Sequence, residues 1–274
     1  MNARDELISI WKNFEPEKMD PKAPLILPRD EPLLDKQLHR KVHYCRFQNW
    51  EDYIKGEIGA PSDDKELHLG LLPIPYIGNL EKASVFVLML NPSFGHDDYY
   101  GEYKVREFRD ALIDNLHQTS DCSFMFFQPR FSWHGGYRYW HGKFGKLIDA
   151  HARATKKGYG EARKNFERYL AVIQLVPYRS NNSFYDAKID ELELESVRHA
   201  RNFARHLCDE AKAGKCLVIF VRGVKYWDVE QATVGDPNIV VYAPKDARSA
   251  SLGPESEGGN AILKYLRSKV RQER

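Results

Sequence analysis

Four short apolar runs separated by longer amphipathic stretches set the tightest limit on what this chain can fold into. Ala83 to Leu90 (ASVFVLML) is continuously apolar, and Leu170 to Val176 (LAVIQLV) is broken only by Gln174. Lys215 to Val221 (KCLVIFV) and Asn238 to Tyr242 (NIVVY) follow. Runs of this kind suit strands covered on both faces, as in parallel sheets. Helical periodicity lies over Glu107 to Leu116, Lys143 to Lys156 and Glu193 to Ala213. Strands alternating with helices predict a three-layer α/β fold. Ligands of such sheets bind beyond the carboxyl ends of the strands, so chemistry is expected just after each run.

The segments there are polar and punctuated by Pro or Gly. Asn91-Pro92-Ser93-Phe94-Gly95-His96 follows the first run, and Pro177-Tyr178-Arg179-Ser180 follows the second. Ala243-Pro244-Lys245-Asp246-Ala247-Arg248-Ser249-Ala250-Ser251-Leu252-Gly253-Pro254 follows the fourth. Before the first run, a short helix over Met1 to Phe14 leads into a stretch carrying Pro16, Pro21, Pro24, Pro28 and Pro32. Repeated Pro removes backbone donors and blocks regular helix. Residues 1–40 therefore read as a helix and an extended arm lying on a domain formed by residues 41–274.

Composition narrows the function classes. A net charge of +2 does not announce a nucleic-acid binder, so any DNA-binding face must come from local clustering of Lys and Arg. Cys45, Cys122, Cys208 and Cys216 form no C-x-x-C pair. No zinc or iron–sulfur site, no metal and no cofactor are expected. Scattered cysteines suit a reducing cytoplasm. No leader and no apolar run of membrane-spanning length is evident, so no membrane partner is expected.

The stretch Ile74-Pro75-Tyr76-Ile77-Gly78-Asn79-Leu80-Glu81-Lys82-Ala83, a strand, then Leu90-Asn91-Pro92, resembles the first motif of the uracil-DNA glycosylase superfamily. Arg248 to Pro254, then Gly258-Gly259 and a helix, resembles its last motif. The resemblance spans about residues 70–270 in order. It implies a four-stranded parallel sheet, order 2-1-3-4, with helices on both faces. It also implies a monomer that flips a nucleotide out of DNA and hydrolyses the N-glycosidic bond, since the reacting carbon is hidden inside a duplex.

The resemblance assigns residue roles. Asn91 matches the residue that positions the attacking water, although Asn before Pro also starts ordinary turns. Ser93 stands where the uracil-specific branch has a bulky Tyr, leaving that wall of the pocket open. Gln174 stands where relatives read the base edge with Asn; an amide offers both donor and acceptor. Ala243 replaces a His that assists the departing base, and His96, His134 and His141 are the candidates to compensate. A stacking aromatic is expected a little over ten residues after Asn91: Tyr100, Tyr103 and Phe108 are in range, and Tyr103 matches by count. Arg248 falls in the wedge loop, Lys245 is a phosphate contact, and Ser180, Ser249 and Ser251 are neutral phosphate donors.

Phe124, Phe126, Phe127, Phe131, Trp133, Tyr137, Tyr139 and Trp140 crowd one segment. It reads either as a grip on unpaired bases or as core beneath a long loop. Ser93, Gln174 and Ala243 together favour a modified pyrimidine over uracil. One phage-defence branch of the superfamily removes glucosylated hydroxymethylcytosine. Uracil repair, a non-catalytic DNA-binding module and a hydrolase of free nucleosides are the alternatives.

Overall fold

In the computed structural model the described residues are 1–20, 23–32, 44–45, 47, 49–56, 66–119, 124–181, 194–229, 235–242 and 251–272. In chain order the helices are α1 (Ala3–Lys12), α2 (Trp50–Lys55), α3 (His96–Lys104), α4 (Arg106–His117), α5 (Gly135–Thr155), α6 (Tyr159–Tyr169), α7 (Glu195–Lys212) and α8 (Glu257–Gln272). The strands are β1 (Tyr44–Cys45), β2 (Leu67–His68), β3 (Tyr76–Ile77), β4 (Val85–Met89), β5 (Leu170–Gln174), β6 (Leu217–Phe220) and β7 (Ile239–Val241).

The α/β expectation holds. The main sheet has five strands in the order β3-β5-β4-β6-β7, which corrects the four-stranded expectation by one short edge strand. Tyr76–Ile77 is too brief to stand out as an apolar run. The four expected strands keep their expected neighbours. β4 pairs with β6 in parallel, Val85 opposite Leu217 and Leu88 opposite Phe220. β6 pairs with β7 in parallel, Val218 opposite Ile239. Every residue of β4, β5 and β6 is buried, so both sheet faces are covered, which is why these strands read as unbroken apolar runs.

The chain divides into two compact units, one of residues 1–76, 90–120 and 174–203, the other of residues 77–89, 121–173 and 204–274. Leu7, Trp11, Phe14 and Leu25 to Leu27, from the N-terminal helix and Pro-rich stretch, are buried within the first unit. The buried Tyr178 hydroxyl donates to Asp30 Oδ2 at 2.7 Å and accepts from Leu27 N at 3.2 Å, tying the Pro-rich stretch in place. The helices start where caps permit. Asn2 accepts from Asp5 N at 2.9 Å, and Asn49 accepts from Asp52 N at 2.8 Å.

The second unit holds the sheet from Ile77 onward. Phe124, Phe127, Phe144 and Phe166 are fully buried there. Of the two readings of the aromatic segment, core therefore applies to Phe124, Phe126, Phe127, Phe131 and Trp140. Tyr139 is the one aromatic of that segment, among the described residues, that is well exposed, at 40%.

Candidate functional site

Within the first unit, two strand-end segments run beside each other. Val176 N donates to Leu90 O at 2.8 Å, and Ser180 N donates to Pro92 O at 3.0 Å. Phe94 N donates to the Asn181 side-chain oxygen at 2.9 Å. Asn91 lies in this ladder, half-buried. Its Nδ2 donates to Ser180 O at 2.7 Å and to Pro92 O at 3.2 Å. Both bonds use the amide nitrogen, so they fix which way the amide is turned. Among the described residues, no donor reaches Oδ1.

A buried ion triad holds these segments. Arg179 Nη1 meets Asp98 Oδ1 at 2.5 Å, and Nη2 meets Glu102 Oε1 at 2.8 Å. Asp98 Oδ2 accepts from Gly95 N at 2.7 Å, closing the first turn of α3. Glu102 Oε2 accepts from Leu72 N at 2.7 Å. Each of the four carboxylate oxygens thus has a donor, as buried charges require. Burial pushes the Glu102 carboxyl above its ordinary value, with Arg179 opposing the shift. The triad binds the segment after β5 to the helix that follows Asn91. Sequence reasoning missed it; the available signal was Asp98 and Glu102 standing one helical turn apart, followed by an Arg in the other strand-end segment.

Gln174, the last residue of β5, is 3% exposed. Its backbone N donates to Pro75 O at 2.9 Å, while its Oε1 is buried with no hydrogen-bond partner among the described residues. A buried acceptor left unpaired costs about 1–3 kcal/mol, and such a site invites a ligand donor. Ser93 is exposed.

Beside this ladder Tyr53, Leu71, Phe94 and Tyr99 form a buried cluster. His68 stacks on Phe94 at 3.7 Å between centroids, and Tyr53 stacks on Tyr99 at 4.4 Å. Tyr103 stacks on Tyr99 at 6.1 Å and its hydroxyl donates to Gly70 O. Burial raises the Tyr103 hydroxyl pKa to about 12. Of the three aromatics in range, Phe108 is core, Tyr103 is half-buried and Tyr100 is exposed, edge-on to Trp50 at 5.5 Å.

The remaining expected residues divide three ways. Ala243, Lys245, Arg248 and Ser249 lie outside the described residues. Ser180 is 2% exposed and contributes its carbonyl to Asn91, a part different from the phosphate donor expected of it. Ser251 is exposed, with Oγ accepting from Gly253 N at 3.1 Å. The histidines have structural partners. His96 contacts the Tyr53 hydroxyl, His134 caps α5 by accepting from Gly136 N at 2.9 Å, and His141 meets Tyr159 Oη at 3.0 Å.

The Gly258-Gly259 pair has a packing reason. A Cβ on Gly259 would lie 1.8 Å from Gly253 O, where the turn after Ser251 folds back on the start of α8. Gly259→Ala is expected to lose about 2–3 kcal/mol, read as a lower urea midpoint with an unchanged slope. Wild-type stability in that variant would show that the turn is not held against α8.

No protein-family model, no curated protein and no solved structure matches this chain.

Proposed function

We propose that the chain is a monofunctional DNA glycosylase that hydrolyses the N-glycosidic bond of a flipped-out modified pyrimidine, leaving an abasic site. The observation that carries this reading is a pair of amides at the ends of neighbouring strands, Asn91 bonded through its nitrogen and Gln174 with a buried oxygen, neither oxygen having a donor among the described residues. Asn91 Oδ1 holds a water by accepting one of its hydrogens and aims it at the anomeric carbon. Asn is too weak a base to deprotonate that water beforehand, so its contribution is position and stabilisation of positive charge on the sugar. The water oxygen bonds to the anomeric carbon as the bond to the base nitrogen breaks. The base leaves with the bonding electron pair, and the water's proton passes to solvent or to the departing base. Gln174 Oε1 accepts from a donor on the base edge.

On this reading DNA is the partner, the chain works as a cytoplasmic monomer, and glucosylated hydroxymethylcytosine in invading DNA is the substrate that Ser93 and Gln174 favour. No helix among the described residues is long and apolar enough to cross a membrane. The test is incubation with oligonucleotides carrying uracil, cytosine or 5-substituted cytosines, followed by alkaline cleavage at abasic sites. Cleavage at substituted bases above uracil is the expected result. Uracil as the best substrate would make the chain a repair enzyme, and cleavage of none would leave a non-catalytic DNA-binding module.

Ser93→Tyr supplies an internal control. A phenol there fills the space beside the outer edge of the base, so excision of 5-substituted cytosines is expected to fall by at least about tenfold while uracil release changes little. Equal effects on both bases would remove Ser93 from the specificity wall.

A further inference from the structure

The small net charge of the chain hides a strong local imbalance. Residues 138–168 carry nine Lys or Arg and three Asp or Glu, a net of +6 against +2 for the whole chain, so the remainder is net acidic. This stretch is the hairpin of α5 and α6, which lies within the second unit. Phe144 and Phe166 pack between the two helices with ring centroids 5.7 Å apart, and His151 shares a 2.8 Å hydrogen bond with the Asn165 side chain. That bond sets Arg153, two residues past His151, level with Lys164, one residue before Asn165. The outer sides carry the charge. Arg153 is exposed on α5, opposite the buried Phe144, Leu147, Ile148 and His151. Lys164 and Arg168 are exposed one turn apart on α6, opposite the buried Ala162, Phe166 and Tyr169.

The acids of the hairpin do not neutralise this face. Glu161 pairs with Lys157, and Glu167 pairs with Arg163 and also feels Lys164. Among the described residues, Arg153, Lys156, Lys164 and Arg168 make no salt bridge. Lys156 is an independent sign. It ends α5 with φ 56°, in the left-handed region where helices favour Gly. A Lys held there places a cation at the exposed tip, at a backbone cost that Gly would avoid. The face also lacks the apolar anchors that a membrane surface or a protein partner takes. The exposed large apolar side chains among the described residues are Met1, Ile54, Tyr100 and Tyr139, and none lies between His151 and Tyr169. Cations without such anchors fit a phosphate backbone.

We propose that Arg153 and Lys156 of α5, with Lys164 and Arg168 of α6, form a face that grips the phosphate backbone of duplex DNA without reading its sequence. It is a second contact, distinct from the base pocket. It rests on the reading of DNA as the partner but not on base excision.

The test is anisotropy of a labelled duplex with no excisable base, titrated with the full chain over a range of salt. Arg153→Gln with Arg168→Gln is expected to keep the wild-type Tm and to flatten the slope of log affinity against log salt by about 1.8, two contacts at about 0.9 each. Lys12→Gln with Lys82→Gln removes the same charge from exposed positions outside the hairpin and is expected to leave the slope unchanged. Lys156→Gly is expected to raise Tm and yet weaken binding, a combination that a purely structural residue would not produce. An unchanged slope in the Arg153/Arg168 variant, with wild type binding normally, overturns this face and leaves the glycosylase reading standing. Equal flattening in both double variants also overturns it, because net charge alone would then be read. Failure of wild type to bind duplex even at low salt overturns both readings. Tighter binding to phosphatidylserine vesicles than to duplex at the same salt replaces DNA by a membrane surface and overturns the inference.

Discussion

Arg179→Met is expected to lower stability by about 3–5 kcal/mol, enough to unfold much of a marginally stable chain. The substitution keeps volume and removes the guanidinium that pairs with both buried carboxylates, Asp98 and Glu102. Each carboxylate keeps its backbone N–H donor and loses the charge that faces it. The pH dependence identifies the cause. Burial already raises the Glu102 carboxyl above its unfolded value, and losing Arg179 raises it further. A group whose folded pKa is raised binds its proton more tightly in the native state. Its favourable contribution is therefore present below the unfolded pKa and is lost as pH rises. The deficit of the variant, measured by urea unfolding, should be largest at neutral pH and shrink toward pH 5. A deficit independent of pH would mean that lost packing, not unpaired charge, sets the cost.

Asn91→Ala is expected to cut base release by roughly 100–1,000-fold while leaving the urea midpoint within about 1–2 kcal/mol of wild type. The stability cost comes from two lost bonds, to Ser180 O and Pro92 O. The catalytic loss comes from the oxygen on the other side of the amide. Single-turnover excision and oligonucleotide binding separate the two, because binding should persist. A variant that releases base at the wild-type rate would remove Asn91 from the chemistry and leave it as a turn residue.

The sheet was legible because its strands are buried on both faces, so Val85–Met89, Leu170–Gln174, Leu217–Phe220 and Ile239–Val241 stand out without reference to any partner. Helix α4 was legible for the complementary reason: Phe108, Ala111, Leu112, Asn115 and Leu116 line one face. Helix α3 was not, because its inward positions include Asp98 and Glu102, which read as solvent-facing until Arg179 is seen between them. The first two turns of α5 were hidden by Gly135, Gly136 and Gly142, poor helix formers whose cost is offset by the buried face of Trp140, Phe144, Leu147 and Ile148. At the candidate site, Asn91 and Gln174 were visible as polar residues at strand ends. The two backbone carbonyls that orient Asn91 carry no sequence signature at all.

The residue after Asn91 has a chemical consequence for the lifetime of the site. An asparagine in a protein ages fastest when the backbone nitrogen of the next residue, having shed its hydrogen, closes onto the side-chain carbonyl and expels ammonia. The resulting ring opens to aspartate or to a backbone-shifted isomer. Pro92 carries no hydrogen on its nitrogen, so that ring cannot close here. Had aspartate formed, its second oxygen would face the carbonyl oxygen of Ser180, where Nδ2 now sits at 2.7 Å. The dipeptide thus guards an amide, whose replacement by an acid the neighbouring carbonyl would repel, against slow conversion to that acid.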